Sequence, residues 1–221
     1  NYVSSTDYSV YGGAIYNEDG TIGDVTGDFI GNYVSTTNYD ANGGAIYNYD
    51  GAIGDIMGDF IGNYASSNSY SKGGAIYIGY GTIGNITGNF IGNYATGTDS
   101  YAIGGAIAID SSAQVQGITG NFIGNYASAG GWAYGGAIYN NSGTIDNITG
   151  DFIGNYAYAT KDEAQGGAIY NANNATIGNI AGDFIGNYVS TTGSSSFAQA
   201  SGGAIYNVKG GIIGDITGHF I

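Results

Sequence analysis

Residues 12–34 read GGAIYNEDGTIGDVTGDFIGNYV, and close copies of this stretch follow one another along the whole chain of 221 residues. The opening tetrapeptide GGAI occurs seven times, at intervals of 30 or 31 residues and once of 36. A fixed period of this length is the sequence signature of a repeat architecture. One local structure therefore has to account for every unit. The first glycine of the seven copies is Gly12, Gly43, Gly73, Gly104, Gly135, Gly166 or Gly202.

Each unit contains three short apolar pieces, which in the first unit are residues 14–17, 21–25 and 29–34. Gly, Asp and Asn separate them, and these residues favour turns. The pieces are too short for helices and show no helical periodicity. We therefore predict an all-β fold, a parallel β-helix with three short strands in each rung of about 31 residues and seven rungs in all. Residues 1–221 form a single array, without a linker or a second domain.

The composition supports strands and excludes several functions. The chain has 44 Gly, no Pro, no Cys and no Leu, and its aliphatic residues are mostly Ile and Val, which favour strands. Three basic residues stand against 17 acidic ones, giving a net charge of −14. Lys72, Lys161 and Lys209 are far apart in the sequence, whereas nucleic acid and anionic membranes require clustered basic residues. No apolar run is long enough for a membrane span.

Equivalent positions of successive rungs stack in a β-helix. The residues that recur at one position are therefore predicted to form a column parallel to the axis, which we call a file and name by its first residue. We place the files headed by Phe29, Ile22 and Val25 inside the coil. Gly31 supplies a bend, after which an Asn file passes side-chain hydrogen bonds from rung to rung. The pair Gly12-Gly13 suits a tight corner or a close approach of backbone. The Phe file comprises Phe29, Phe60, Phe90, Phe122, Phe152, Phe184 and Phe220, and the Asn file comprises Asn32, Asn63, Asn93, Asn125, Asn155 and Asn187.

Neighbouring residues of a strand face opposite sides, so the file headed by Ile30 is predicted to form an apolar stripe outside. The files headed by Tyr33 and Tyr16 add aromatic surface. These files either stabilise the strands by contact between rungs or form a face for lateral association or adhesion. The variable tracts are predicted to be exposed loops along one edge, and they are residues 35–42, 66–72, 96–103, 128–134, 158–165 and 190–201.

No capping unit is recognisable at either end of the array. Residues 1–4, NYVS, match residues 32–35, and the chain stops at Phe220-Ile221, inside a repeat. We therefore expect the chain to be a segment of a longer fibre, or a protomer that stacks head to tail on its own copies.

The pairing of GGA and an aliphatic residue with F-x-x-N resembles the repeats of the chlamydial polymorphic membrane proteins, and more broadly the autotransporter adhesin passengers of Gram-negative bacteria. The matching residues in the first unit are Gly12-Gly13-Ala14-Ile15 and Phe29-Ile30-Gly31-Asn32, and the later units repeat them. The resemblance implies a right-handed parallel β-helix, secretion to the bacterial cell surface and an adhesive or structural role. It implies no catalytic residues. This chain departs from the family in having no Cys and no C-terminal β-barrel.

The sequence predicts no catalytic residue, no cofactor and no metal site. The only histidine, His219, occupies a file of Asp and Asn and is expected on the surface. Asp24 with Asp55, and Asp28 with Asp59, could hold Ca²⁺ between rungs, but hydrated carboxylates are the preferred interpretation. An ice-binding Thr file headed by Thr26 is interrupted at Met57 and Ala181. Glycosylation sequons occur at Asn85, Asn140, Asn147 and Asn174.

These observations predict a non-catalytic, extracellular structural or adhesive solenoid that forms a surface fibre or adhesin stalk. Its expected partners are further copies of itself and, beyond them, host or matrix glycans. The alternative is a carbohydrate-binding solenoid in which exposed Tyr files stack on sugar rings.

Overall fold

The computed structural model describes all 221 residues, from Asn1 to Ile221, and every regular element in it is a β-strand. The strands of successive units pair in parallel and in register, for example Phe60 with Phe29 on one side and with Phe90 on the other. The predicted parallel β-helix is confirmed. No helix is present that could cross a membrane.

Five parallel sheets run along the axis of the coil, and we number them in the order in which the chain meets them. Sheet 1 consists of Tyr2–Ser5, Tyr33–Thr36, Tyr64–Ser67, Tyr94–Gly97, Tyr126–Ala129, Tyr156–Ala159 and Tyr188–Thr191. Sheet 2 consists of Val10–Tyr11, Ala41–Asn42, Ser71–Lys72, Tyr101–Ile103, Trp132–Tyr134, Ala164–Gln165 and Ala200–Ser201. Sheet 3 consists of Ile15–Glu18, Ile46–Tyr49, Ile76–Gly79, Ile107–Asp110, Ile138–Asn141, Ile169–Ala172 and Ile205–Val208.

Sheets 4 and 5 complete each rung. Sheet 4 consists of Thr21–Ile22, Val25–Thr26, Ala52–Ile53, Ile56–Met57, Thr82–Thr87, Gln114–Thr119, Thr144–Thr149, Thr176–Ala181, Ile212–Ile213 and Ile216–Thr217. Sheet 5 consists of Phe29–Ile30, Phe60–Ile61, Phe90–Ile91, Phe122–Ile123, Phe152–Ile153 and Phe184–Ile185, and Phe220 adds a single bridge to Phe184.

The prediction of three strands per rung needs correction, because the chain bends more often than its apolar pieces suggest. Residues 29–34 are two strands rather than one, since Gly31 adopts a φ of +60° and turns the chain between sheets 5 and 1. The tracts expected to be loops contain part of sheet 1 and every strand of sheet 2 except Val10–Tyr11. Only their tips are irregular, and residues 192–199 of the last tract accommodate its extra length.

The interior contains the files that the sequence places there. Phe60, Phe90 and Phe122 are fully buried, and successive Phe rings stack with their centroids 4.8 Å apart. The Ile and Val files of sheets 3 and 4 join them in one core cluster of 29 residues. A second, narrower cluster of eight Ala side chains fills the space between sheets 1 and 2.

Glycines lie between the large core cluster and the Ala cluster, where the backbone comes into close contact. A Cβ atom at Gly44 would lie 2.0 Å from the carbonyl oxygen of Gly74 and 2.5 Å from that of Tyr64, at the start of sheet 1. The preceding Gly43 has a φ of +69°. The glycine pair therefore forms both a tight corner and a close backbone contact across the coil, as predicted.

The corner between sheets 5 and 1 contains the predicted Asn file, which we call the corner ladder. The side-chain amide of Asn63 donates to Asn93 Oδ1 (2.9 Å) and to the carbonyl of Phe29 (2.8 Å). The backbone N–H of Asn63 also donates to Asn93 Oδ1 (3.0 Å). The Asn side chains thus satisfy backbone groups that the bend would leave buried without partners. The bond from one side-chain amide to the next continues without interruption from Asn32 to Asn187.

Candidate functional site

Two files of Tyr side chains lie on the outside of the rod, and they differ in shape. The Tyr33 file projects from sheet 1 and is unbroken, with ring centroids 4.7–5.0 Å apart and planes within 9° of parallel. Burial raises the pKa of Tyr126 to about 12. Each inner ring is covered on both faces by its neighbours, so only ring edges meet the solvent. The file comprises Tyr2, Tyr33, Tyr64, Tyr94, Tyr126, Tyr156 and Tyr188.

The second file, expected to be exposed like the first, is largely buried. Tyr47, Tyr77 and Tyr170 are only 6–8% exposed. Sheets 2 and 3 meet at the Gly12-Gly13 corner, and their outward side chains pack against each other: the Tyr11 ring lies 4.7 Å from that of Tyr47. We call the resulting concave surface the groove, and its file from sheet 3 the groove file. The groove file comprises Tyr16, Tyr47, Tyr77, Ala108, Tyr139, Tyr170 and Tyr206.

The groove file is broken in the middle rung, where Ala108 stands between Tyr77 and Tyr139. Tyr77 stacks on Tyr47 (5.3 Å) and Tyr139 stacks on Tyr170 (5.0 Å). On the side that faces Ala108, neither Tyr77 nor Tyr139 has a stacking partner in the groove file. The ammonium of Lys72 lies 5.4 Å from the centroid of the Tyr77 ring. Tyr139, the other ring at the break, packs against the small apolar cluster that contains Ile103 and Ala108.

Charged and amide side chains converge beside this break. Lys72 Nζ lies 3.1 Å from Asp110 Oδ2, and Asp110 is only 7% exposed. Asn141 Nδ2 donates to the other carboxylate oxygen of Asp110 at 3.2 Å. The ion pair is less solvated than the pair of Lys161 and Asp99, in which both side chains are well exposed. Burial, aided by the Asp110 carboxylate, raises the pKa of the Tyr139 hydroxyl. The tyrosine therefore stays protonated at neutral pH.

A cavity of about 220 Å³ opens at this point of the groove. Its walls combine aromatic rings with the polar groups just described. A second cavity of about 210 Å³ lies further along the groove, and Tyr134 lines both. The hydroxyl of Tyr134 donates to Glu163 Oε2 (2.8 Å), which holds the ring between the two cavities. The first cavity is lined by Tyr70, Lys72, Tyr101, Ile103, Asp110, Tyr134, Tyr139 and Asn141.

A short aromatic stack on the outer face of sheet 2 adjoins the first cavity. Tyr70 stacks on Tyr101 (4.9 Å), and Tyr101 stacks on Trp132 (4.6 Å). Trp132 is the only tryptophan of the chain. In the other rungs this file has Ser9, Asp40, Glu163 and Gln199, so the stack occurs only beside the break.

The acidic files on the outside have a structural role. Asp24 Oδ1 accepts the N–H of Asp55, and Asp28 Oδ1 accepts the N–H of Asp59, both at 2.9 Å. Each carboxylate thus satisfies a backbone donor of the next rung. No three carboxylate or imidazole side chains form a metal-binding cluster. The largest cavity, about 380 Å³, lies over Asp24 and Asp55 on sheet 4 and has no aromatic wall.

The remaining predicted positions lie apart from the groove. His219 is exposed, with Nδ1 3.0 Å from Asp183 Oδ1, and the backbone N–H of His219 lowers the pKa of that carboxyl group. Asn140 is fully buried, so its sequon is inaccessible in the folded chain, whereas Asn85, Asn147 and Asn174 are exposed. The Ile30 file faces outward as predicted: Ile30 itself is 61% exposed, and its inner copies are half-buried by their neighbours.

Sequence reasoning missed the groove site. Two signals were available: Ala108 is the only residue in the Tyr16 file that is not Tyr, and Trp132 is unique in the chain. Both mark the middle of the array as different from the other units. Neither residue shows by itself that sheets 2 and 3 enclose a groove.

The geometry defines a β-solenoid repeat protein with one irregular, aromatic-lined site. No protein-family model, no curated protein and no solved structure matches the chain.

Proposed function

We propose that the protein is a non-catalytic, extracellular structural and adhesive solenoid, a surface fibre or adhesin stalk that associates with its own copies. The observation that carries this proposal is the continuous stacking of identical side chains along one axis. Phe rings, Asn amides and main-chain hydrogen bonds repeat at every rung, which favours a stiff rod over a flexible linker. The acidic side chains support a structural role, since they are engaged in backbone hydrogen bonds. The extracellular location rests on the family resemblance.

Electron microscopy of the purified chain tests the fibre. Seven rungs at about 4.8 Å each make a rod of about 34 Å. If copies stack head to tail, we expect filaments of uniform width that lengthen with protein concentration. Monodisperse short rods at every concentration would contradict self-association. The variant Tyr139→Leu is a useful control, since it alters the groove without adding bulk to the interior.

A second candidate function is the binding of neutral carbohydrate. The aromatic rings that line the first cavity, Tyr139 among them, favour it, because a sugar ring packs its C–H groups on aromatic surface. The Tyr33 file is less suited, since neighbouring rings cover its faces. On an array of neutral glycans we expect binding that survives Tyr94→Ala, a change in the Tyr33 file. Loss of binding in that variant would assign the glycan to the Tyr33 file instead.

A further inference from the structure

We propose that the cavity beside Ala108 binds one hydroxyl-bearing six-membered ring of a neutral, linear oligosaccharide. This inference rests on the second candidate function and assigns it a site. The first argument is the aromatic lining of the cavity. The missing ring at Ala108 leaves Tyr139 without a stacking partner on that side, and Tyr139 lines the adjoining cavity together with Tyr101 and Tyr134.

The size of the cavity suits a single ring. Pockets that enclose drug-sized ligands measure roughly 300–1,000 Å³. The volume of about 220 Å³ is below that range. Tyr70, Tyr101 and Tyr134 add aromatic surface around it, and Ile103 adds an aliphatic side chain. Such walls match the C–H faces of a pyranose.

The polar groups match hydroxyl groups in particular. Lys72 and the amide nitrogen of Asn141 are donors, the carboxylate of Asp110 is an acceptor, and the three are already in mutual contact. A hydroxyl group both donates and accepts, so it can join this network without leaving a charge unpaired. An aromatic hydrocarbon would displace the water that is hydrogen-bonded to these polar groups and offer no hydrogen bonds in return, which costs free energy.

The charges favour a neutral ligand. Lys72 and Asp110 neutralise each other within the site, and the neighbouring Tyr139 is protonated at neutral pH. The net charge of −14 repels polyanions over longer distances. The ammonium of Lys72 disfavours a cation in the same cavity.

The groove indicates a linear chain of sugars rather than an isolated one. Tyr134 separates two cavities of similar volume, and the second contains Tyr170, Tyr206, Gln165 and Gln199. A ligand with one ring on each side of Tyr134 would contact both. A monosaccharide should therefore bind at least tenfold more weakly than a hexasaccharide of the same sugar.

Saturation-transfer NMR and Trp132 fluorescence together test the proposal, with cellohexaose, maltohexaose and the acidic oligogalacturonate as probes. NMR detects binding anywhere on the chain. Trp132 stacks on Tyr101, a residue of the cavity wall, so its fluorescence reports binding at this site. We expect at least one neutral hexasaccharide to produce both signals and oligogalacturonate to produce neither.

Two variants locate the site. In Ala108→Tyr the new ring completes the groove file beside Lys72 and should abolish both signals. Ala108→Tyr inserts bulk at a buried position and can fail to fold, so a second variant is needed. Tyr139→Leu removes the aromatic ring without adding bulk, and binding should weaken at least tenfold. Tyr64→Ala, in the Tyr33 file, is the matched control and should bind like the wild type.

Three results would overturn the proposal, and they differ in what they leave standing. An NMR signal without a fluorescence change, or with wild-type affinity in Tyr139→Leu, would retain carbohydrate binding but remove it from this cavity. Binding of oligogalacturonate alone would refute a neutral ligand. Absence of binding by every probe would refute the carbohydrate function itself and leave the proposed fibre untouched.

Discussion

The Tyr33 file and the groove file consist of the same residue at the same spacing, yet only the groove file has a break. In the Tyr33 file every unit has Tyr, and the rings cover one another's faces. In the groove file Ala108 interrupts the stack, and a buried ion pair and a cavity adjoin the interruption. In the regular file the rings pack on one another, whereas the departure from the repeat at Ala108 adjoins an aromatic-lined cavity, where we propose that a ligand binds.

The two Asn files inside the rod show the same contrast. The corner ladder is continuous, whereas the file headed by Asn17, which we call the interrupted ladder, has Ile78 and Ile109 in the third and fourth units. The buried Oδ1 of Asn140 consequently has no hydrogen-bond partner, because Ile109 cannot donate to it. Both interruptions fall in the middle of the array, close to the groove site.

The largest effect is expected from a charge in the Phe file. Phe90 is fully buried and stacked on both faces, so Phe90→Asp would bury an unpaired carboxylate and should unfold the middle of the rod. The milder Phe90→Ala should cost about 3–5 kcal/mol. Met57→Thr, on the exposed face of sheet 4, is the control and should stay within about 0.5 kcal/mol. Circular dichroism melting measures all three, and an unchanged melting temperature for Phe90→Asp would refute the interior placement.

A smaller effect separates the two Asn ladders. Asn93 accepts from the N–H and the side chain of Asn63 and donates to Phe60 and Asn125. Asn93→Ala would leave several buried hydrogen-bonding groups without partners. Each of them costs about 1–3 kcal/mol, so we expect the free energy of unfolding to fall by roughly 3–6 kcal/mol. Asn140, whose Oδ1 is already unpaired, should lose about half as much on replacement by Ala. Urea denaturation measures the loss of unfolding free energy in each variant. Equal losses for Asn93→Ala and Asn140→Ala would contradict the contrast between the ladders.

Repairing the interrupted ladder should show coupling between two sites. Ile78→Asn or Ile109→Asn alone adds a buried amide with an incomplete set of partners. The double variant would connect Asn48 to Asn140 through two new amides, in the pattern of the hydrogen bond from Asn140 to Asn171. We expect the double variant to be more stable than the sum of the single changes by about 0.5–3 kcal/mol. A double-mutant cycle measures this energy, and strict additivity would mean that the amides do not connect.

The regular files could be predicted from the sequence because their chemistry recurs without exception. Phe29 and Ile30 are neighbours in a strand, so one faces the interior and the other the solvent. Gly31 followed by Asn32 predicts the bend and the corner ladder. The number of strands could not be predicted, because the bend at Gly31 divides an apolar piece that looks continuous. The burial of Tyr47 and Tyr77 depends on the angle between sheets 2 and 3, which involves contacts across a corner rather than the pattern along one strand. The groove site was missed for the same reason, and because a single Ala in a Tyr file resembles ordinary variation between repeats.

The smallest effect concerns alkaline pH. An unfolded Tyr has a pKa near 10. Burial raises the pKa of Tyr126 in the Tyr33 file to about 12, and it raises that of Tyr139 in the groove as well. The contribution of each Tyr to stability is therefore complete below about pH 10. It is lost as the pH rises from there through the folded-state pKa, since only the unfolded chain gives up the proton.

The two aromatic files should contribute equally to this loss up to about pH 11. Tyr139→Phe and Tyr126→Phe should each flatten the decline in unfolding free energy above about pH 10, because the folded chain keeps both protons in this range. Urea denaturation at intervals from pH 8 to pH 11, followed by circular dichroism, measures the slope. A variant with the slope of the wild type would mean that the replaced tyrosine ionises near about pH 10 in the folded chain, as an exposed tyrosine does. For Tyr139 this result would also remove the enclosed site from which carbohydrate binding is inferred.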